Sequence, residues 1–234
     1  MRPALTLSAW LRYDVVARLL RRIGPVERVV EVGPGRGAVG VRLAERATTY
    51  TGYEPDEASA AVAATRVNVI HGLLPSDGAG DVDLLCAFEV LEHIDDDVAA
   101  LRSWATHVKP GGWLLLSVPA FAERFGPTDA YVGHFRRYDP DILRERLVAA
   151  GLEPVELRPY GWGLGNVLER ARDAITRRRT AAASVEERTA ASGRFLQPPD
   201  ALGVATAAAA APFRLLQRAR PNAGVGLVAL ARKP

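Results

Sequence analysis

The sequence predicts an α/β fold, a doubly wound sheet with helices on both faces. Three observations carry that expectation. First, Val26 to Val32 is rich in β-branched residues, as a buried parallel strand is, and it runs into Gly33-Pro34-Gly35-Arg36-Gly37. Alternating glycines remove each Cβ where the chain must turn sharply and a ligand must come close. Second, Ala38 to Arg46 follows with helix-forming residues, so the unit is strand, glycine turn, helix. Third, short apolar runs suited to strands alternate with helical segments as far as residue 160.

The elements follow in order. Residues 4–23 read as an amphipathic helix, because Leu7, Leu11, Val15, Leu19 and Ile23 recur at helical spacing, and Gly24-Pro25 ends it. Thr48 to Glu54 reads as strand two, Val67 to His71 as strand three and Asp81 to Phe88 as strand four. Glu89-Val90-Leu91-Glu92-His93 then opens like a helix, which places Glu89 and His93 four residues apart on one face. Leu101 to Lys109 is a helix stopped by Pro110-Gly111-Gly112, and Trp113 to Val118 is strand five. Asp139 stands as N-cap before Pro140 at the first position of a helix ending at Gly151. Glu153 to Tyr160 is strand six, and Gly226 to Lys233 the last strand. Between them, 161–224 is too long for a tight connection. It holds helical pieces at 166–179 and 201–219, with a kink or restart expected at Pro212. The polar, proline-punctuated stretch 181–199 separates them and reads as mobile.

The glycine spacing bears on the cofactor. A dinucleotide fingerprint is G-x-G-x-x-G, whereas this chain has E-x-G-x-G-x-G over Glu31, Gly33, Gly35 and Gly37. With the downstream VKPGGWLLLSVP segment, this pattern resembles the class I S-adenosylmethionine (SAM) methyltransferases across residues 26–160. The resemblance implies a Rossmann-like, seven-stranded sheet, mostly parallel, with an antiparallel last strand between strands five and six. It implies a single methyltransferase domain over 1–234, a cap helix at 1–25 and a variable insertion or lid at 161–224. It implies SAM as cofactor, bound by Glu31, Gly33, Gly35 and Gly37, with Glu54 on the ribose hydroxyls and Phe88 and Glu89 beside the methionine half. The family often has an acid after the strand-three glycine; here stands Leu73, whose backbone would contact the adenine. Arg12 or Tyr13 can reach the methionine carboxylate, although a solvated arginine on a packing helix is the plainer reading.

Bulk composition narrows the classes. With 48% hydrophobic residues in 234, a full core is available. The lone Cys86 excludes disulfides and cysteine-built metal clusters, and one reduced thiol suits a cytoplasmic protein. Arg12 and Asp14 interrupt the N-terminal apolar stretch, so no leader is expected, and the apolar run 201–213 is too short to span a bilayer. A net charge of +3 gives no reason to expect nucleic acid.

Methyl transfer is a displacement at a sulfonium carbon, so positioning dominates and no metal is obligatory. A hydroxyl nucleophile benefits from a base. His93 and His134 are the candidates. Gly133-His134-Phe135-Arg136-Arg137-Tyr138 gathers His, Arg and Tyr in one loop. There Arg136 or Arg137 can anchor an acidic acceptor group and Tyr138 can stack or hydrogen-bond; alternatively the aromatics pin the loop to the core and the arginines are solvated. Trp162 can line the acceptor pocket. Glu89-x-x-Glu92-His93 is also similar to the E-x-x-E-H of ubiquinone-pathway O-methyltransferases and small-RNA 2′-O-methyltransferases, which binds a divalent cation. That resemblance gives Glu89, Glu92, His93 and His134 as an alternative ligand set, while metal-free relatives carry a similar segment. Asp95-Asp96-Asp97 reads as a solvated acid cluster, and His107 as structural at a helix end. Oxygen of a small, medium or lipid-like organic acceptor is the first expectation. The absence of D/N-P-P-Y/F after strand four argues against amino-group chemistry on adenine or glutamine, and the absence of Pro-Cys against cytosine C5 chemistry. A nicotinamide oxidoreductase is disfavoured by the glycine spacing and the lack of Tyr-x-x-x-Lys. A non-catalytic SAM binder remains a rival, as does a peripheral membrane protein that sets Arg177 to Arg179 and nearby apolar residues against lipid headgroups. The oligomeric state is not legible.

Overall fold

A computed structural model of the chain describes residues 2–178 and 198–234. Its sheet has seven strands: β1 (Val26–Val32), β2 (Ala47–Glu54), β3 (Val69–His71), β4 (Val82–Phe88), β5 (Val108–Pro119), β6 (Glu153–Gly161) and β7 (Gly224–Arg232). The spatial order is β3-β2-β1-β4-β5-β7-β6. All pairs are parallel except those of β7, which runs antiparallel to both β5 and β6. The order reverses between β1 and β4, so the crevice for a ligand opens at the carboxyl ends of those two strands.

The helices are α1 (Leu7–Ile23), α2 (Ala38–Ala44), α3 (Glu57–Ala64), α4 (Asp97–His107), α5 (Pro127–Val132), α6 (Pro140–Ala149), α7 (Leu164–Thr176) and α8 (Gly203–Leu216). The two faces of the sheet bury separate apolar clusters. Leu85, Leu114, Leu116 and Leu227 meet Leu101 of α4 and Leu143 of α6 on one face. Leu84, Leu115 and Leu230 meet Leu11 and Val15 of α1 and Leu43 of α2 on the other. Residues i and i+1 of β5 therefore point to opposite layers, as a doubly covered strand requires.

Several boundaries differ from the sequence expectation. The helix expected at 101–109 starts at Asp97, where the Asp96 carboxylate accepts the Ala99 amide hydrogen bond at 2.9 Å, and it ends at His107. Val108 already pairs with Val82, and the register slips before Leu84 meets Trp113. The Pro110-Gly111-Gly112 turn thus lies within the slip rather than at the helix end. α8 does not restart at Pro212. Asp139 occupies the N-cap of α6, but its carboxylate accepts from the Ala122 amide (3.3 Å) instead of capping. The stretch 181–197 and Arg179 lie outside the described residues.

The described part of the connection lies against α1. Asp14, expected to interrupt an apolar stretch, is buried. It pairs with Arg218 at 2.5 Å and Arg18 at 3.3 Å, and accepts from Gln217. No helix among the described residues is long and apolar enough to cross a membrane.

Candidate functional site

The turn after β1 has the conformation its glycines allow. Gly33, Gly35 and Gly37 have φ of 65°, 56° and 77°. A Cβ on Gly33 would lie 2.7 Å from a Val90 methyl, while one on Gly35 would meet nothing within 4 Å. Gly33 therefore lets the turn close on the segment after β4, and Gly35 leaves open space where a ligand can approach. The Glu54 carboxylate clamps this turn, accepting the amides of Gly35 (2.8 Å) and Asp56 (3.0 Å). Burial raises its pKa against those two hydrogen bonds. Leu73 sits past Gly72 on the rim, 78% exposed.

Glu31 differs from the picture of an acid facing the crevice. It is 2% exposed, and its carboxylate accepts the Tyr50 hydroxyl at 2.5 Å behind the glycine turn. Burial pushes its pKa up to about 7, although Tyr50 and the charge of Arg12 favour the ionised form. Its carboxylate lies against Gly40 of α2 and not in the crevice.

At the end of β4, Glu89 has a positive φ of 58°, and Phe121, just past β5, one of 66°. Non-glycine residues adopt this region at a cost, and such strain concentrates at functional sites. The left-handed turn sends the Glu89 carboxylate toward α1 and β6. There it accepts from the hydroxyls of Ser117 (2.8 Å) and Tyr160 (3.0 Å) and faces Arg12 at 3.4 Å. Burial alone would raise its pKa, but Arg12 and the two hydroxyls hold it low. Arg12 is not a solvated surface arginine: it lies over the Phe88 ring, 5.8 Å from its centroid, beside Glu89.

Leu91–His93 form a 3-10 turn, not the α-helix start that puts Glu89 and His93 on one face. Glu92 is 0% exposed, and neither of its carboxylate oxygens has a hydrogen-bond partner among the described residues. His93 Nδ1 is likewise unpartnered. The rings of His93 and His134 meet edge-on at 4.6 Å. Glu92, His93 and His134 each offer a ligand atom, all within 4.8 Å of one another. Glu89 is not in this group, which corrects the four-residue ligand set. Burial and the neighbouring Glu89 charge push the Glu92 pKa well up. Burial and His134 push His93 down to about 4. Val90 lies between this cluster and the glycine turn, touching both through its neighbours in sequence and its packing on Gly33.

The loop after β5 is fastened from within. The His134 ring contacts the Asp129 carboxylate through Nδ1 at 2.7 Å, leaving Nε2 toward Glu92 at 3.9 Å. Arg137, expected to anchor an acceptor, is buried and pairs with Asp129 (2.7 Å) and Glu169 (2.5 Å). Arg136 pairs with Asp97 (2.9 Å) and Asp95 (3.0 Å). Tyr138 is 0% exposed and gives its hydroxyl to Asp97 at 3.1 Å, which corrects its expected place beside a substrate. Asp97 is accordingly no part of a solvated acid cluster. Trp162 is half-buried under the Arg220 guanidinium, 5.4 Å from the ring centroid. His107 is buried against the Pro75 carbonyl (2.8 Å), a structural place as expected.

Residues 8–157 match the family described as "Methyltransferase domain". A ubiquinone biosynthesis O-methyltransferase from Bordetella avium is 31% identical over 105 residues, covering 38% of this chain and 42% of that protein. One from Vibrio parahaemolyticus is 30% identical over 39% of this chain and 43% of its own length. The match therefore spans less than half of these curated relatives. Among solved structures, the [4+2]-cyclase SpnF superposes with a TM-score of 0.63 at 22% identity, covering 100% of this chain and 83% of that one. A SAM-dependent methyltransferase from Thermotoga maritima, described as a possible histamine N-methyltransferase, gives 0.58 at 20% identity, with 98% and 90% coverage. At these identities the structural neighbours speak for the fold alone. The matched region covers more than half of the chain and most of the sheet, and the chain belongs to the class I SAM-dependent methyltransferase family.

Proposed function

We propose that this chain transfers the methyl group of SAM to a hydroxyl oxygen of a small or medium organic acceptor, with a divalent cation held by Glu92, His93 and His134. The observation that carries the reading is the pair of unpartnered carboxylate oxygens of Glu92, fully buried and facing two imidazoles. A buried carboxylate without hydrogen bonds is costly. A carboxylate with two imidazoles suits ions such as Mn²⁺ or Mg²⁺ completed by water or substrate oxygens.

The turn fits SAM as well. Gly35 leaves room for the nucleoside, and the Glu54 carboxylate beside it can accept from ribose hydroxyls. Arg12 and Glu89, paired at 3.4 Å beside Phe88, are suited to the carboxylate and ammonium of the methionine half. A bound divalent cation supplies Lewis acidity that lowers the pKa of a coordinated acceptor hydroxyl. His93, with its pKa pushed down to about 4, stays neutral at physiological pH. It is better matched to a ligand's lone pair than to a general base, whose best pKa lies near the working pH. Trp162 is assigned to the acceptor side, with the described part of the connection after β6. The names of the ubiquinone-pathway relatives support oxygen as the accepting atom.

Labelled methyl transfer from SAM to matched phenolic and amine acceptors, before and after exhaustive chelation, tests this reading. Transfer to phenols that is lost on chelation and restored by Mn²⁺ is expected. Transfer to amines alone rejects the oxygen assignment, and turnover indifferent to chelation rejects the cation.

A further inference from the structure

A chain of buried and half-buried charges leads away from His134 into the connection that follows β6. The Asp129 carboxylate, 2% exposed, takes His134 Nδ1 on one oxygen at 2.7 Å. Its other oxygen accepts from Arg137 Nε and the Gly126 amide, both at 2.8 Å. Arg137 passes on to Glu169 of α7 at 2.5 Å, and Glu169 is also paired with Arg124. Arg124 in turn donates to Asn166 of α7 at 3.0 Å. Asp173, one turn further along α7, accepts the Thr128 amide at 3.2 Å. Helix α7 is thus joined to the His134 loop by ion pairs and hydrogen bonds to α5 and its flanks, while Val167 and Ile175 stay exposed.

We infer that Asp129 and Glu169 are positioning residues that set the cation affinity of the Glu92–His93–His134 site, so that helix α7 of the connection governs a site it does not line. The inference rests on the cation reading above. An acceptor on His134 Nδ1 fixes the proton there, turns the Nε2 lone pair toward Glu92 and increases its basicity. The strength of that acceptor depends on how much of its charge Arg137 takes. Glu169 shares Arg137, leaving more of the Asp129 charge for the imidazole. Without the Glu169 charge, the guanidinium falls wholly on Asp129, weakens its hold on His134 and adds uncompensated positive charge near a cation site. Residues in such outer positions typically change metal affinity by about 10–100-fold.

The test is calorimetric titration of the full-length chain with Mn²⁺ alone, for wild type, Asp129→Asn and Glu169→Gln, alongside S-adenosylhomocysteine titrations. Asp129→Asn is expected to weaken Mn²⁺ binding by about 10–100-fold, and Glu169→Gln several-fold, with S-adenosylhomocysteine affinity within twofold of wild type in both. Nitrogen-15 spectra of the metal-free protein give a second readout: wild-type His134 carries its proton on Nδ1, and Asp129→Asn releases that preference. Wild-type protein that binds S-adenosylhomocysteine but no Mn²⁺ overturns the cation reading and this inference with it. Wild-type Mn²⁺ binding that both variants retain within twofold overturns the positioning role alone. Should Asp129→Asn fail to fold, Glu169→Gln on the more accessible helix carries the same decision.

Discussion

Replacing Glu31 by Gln should make the protein less sensitive to alkaline conditions. Glu31 is buried behind the glycine turn, with its midpoint carried from 4.5 to about 7 chiefly by burial. The folded chain therefore holds this proton more tightly than the unfolded chain. The stabilisation is fully present below the unfolded midpoint of 4.5 and is lost as pH rises through about 7. That difference corresponds to about 3 kcal/mol, at about 1.36 kcal/mol per tenfold change in proton affinity. Gln cannot ionise, and its carbonyl can still accept the Tyr50 hydroxyl. Urea unfolding of cofactor-free wild type and Glu31→Gln between pH 5 and pH 8 isolates the effect, because other titrating groups are common to both. The variant should gain about 2–3 kcal/mol relative to wild type across that interval. A difference between the two that stays constant with pH refutes a raised Glu31 midpoint. Tyr50→Phe, which removes the donor favouring the ionised carboxylate, should move the wild-type midpoint above 7.

Three further outcomes follow from the same geometry. Glu54→Gln removes the charge that clamps the Gly35 amide and that is proposed to accept from the ribose; S-adenosylhomocysteine binding by calorimetry should weaken about 10–100-fold, and stability should fall by about 1–3 kcal/mol because the Gln NH2 cannot accept one of the two backbone amides. Gly33→Ala forces a positive φ on alanine and a methyl to within 2.7 Å of Val90. It should cost about 2–4 kcal/mol in chemical denaturation. Tyr138→Phe should lower stability by about 1–2 kcal/mol through the lost Asp97 hydrogen bond while leaving acceptor KM unchanged; a raised KM with native stability would return Tyr138 to the acceptor site.

The fold was legible because its signals are local. β-Branched runs, the glycine turn and the helix periodicity each depend on neighbours in sequence, and the strand boundaries moved by only a few residues. The turn at Gly33, Gly35 and Gly37 was legible for the same reason, because its spacing is local; Glu54 meets Gly35 from 19 residues away and was legible only as an acid at the end of a strand. The catalytic side was harder. Glu89-x-x-Glu92-His93 contains residue types that suit a cation, yet a single positive φ at Glu89 sends that carboxylate to Tyr160 and Arg12, whose positions lie 71 and 77 residues away. A helical reading of the segment has no means of anticipating that turn. Arg137 and Tyr138 looked free because their partners are distant: Glu169 is 32 residues further on and Asp97 is 41 back. Only Asp129, five residues before His134, left a local trace. An Asp at that short distance from a candidate ligand histidine is a signal that can be searched for.

On the proposed function, a cation occupies the space among Glu92, His93 and His134 beside the Gly33–Gly37 turn. Crystals grown with Mn²⁺ and S-adenosylhomocysteine, measured at the manganese absorption edge, test it most directly. An anomalous peak is expected within bonding distance of one Glu92 oxygen and a nitrogen of each histidine, with the nucleoside across Gly33–Gly37. Nucleoside at the turn with no anomalous density among those three side chains would contradict it.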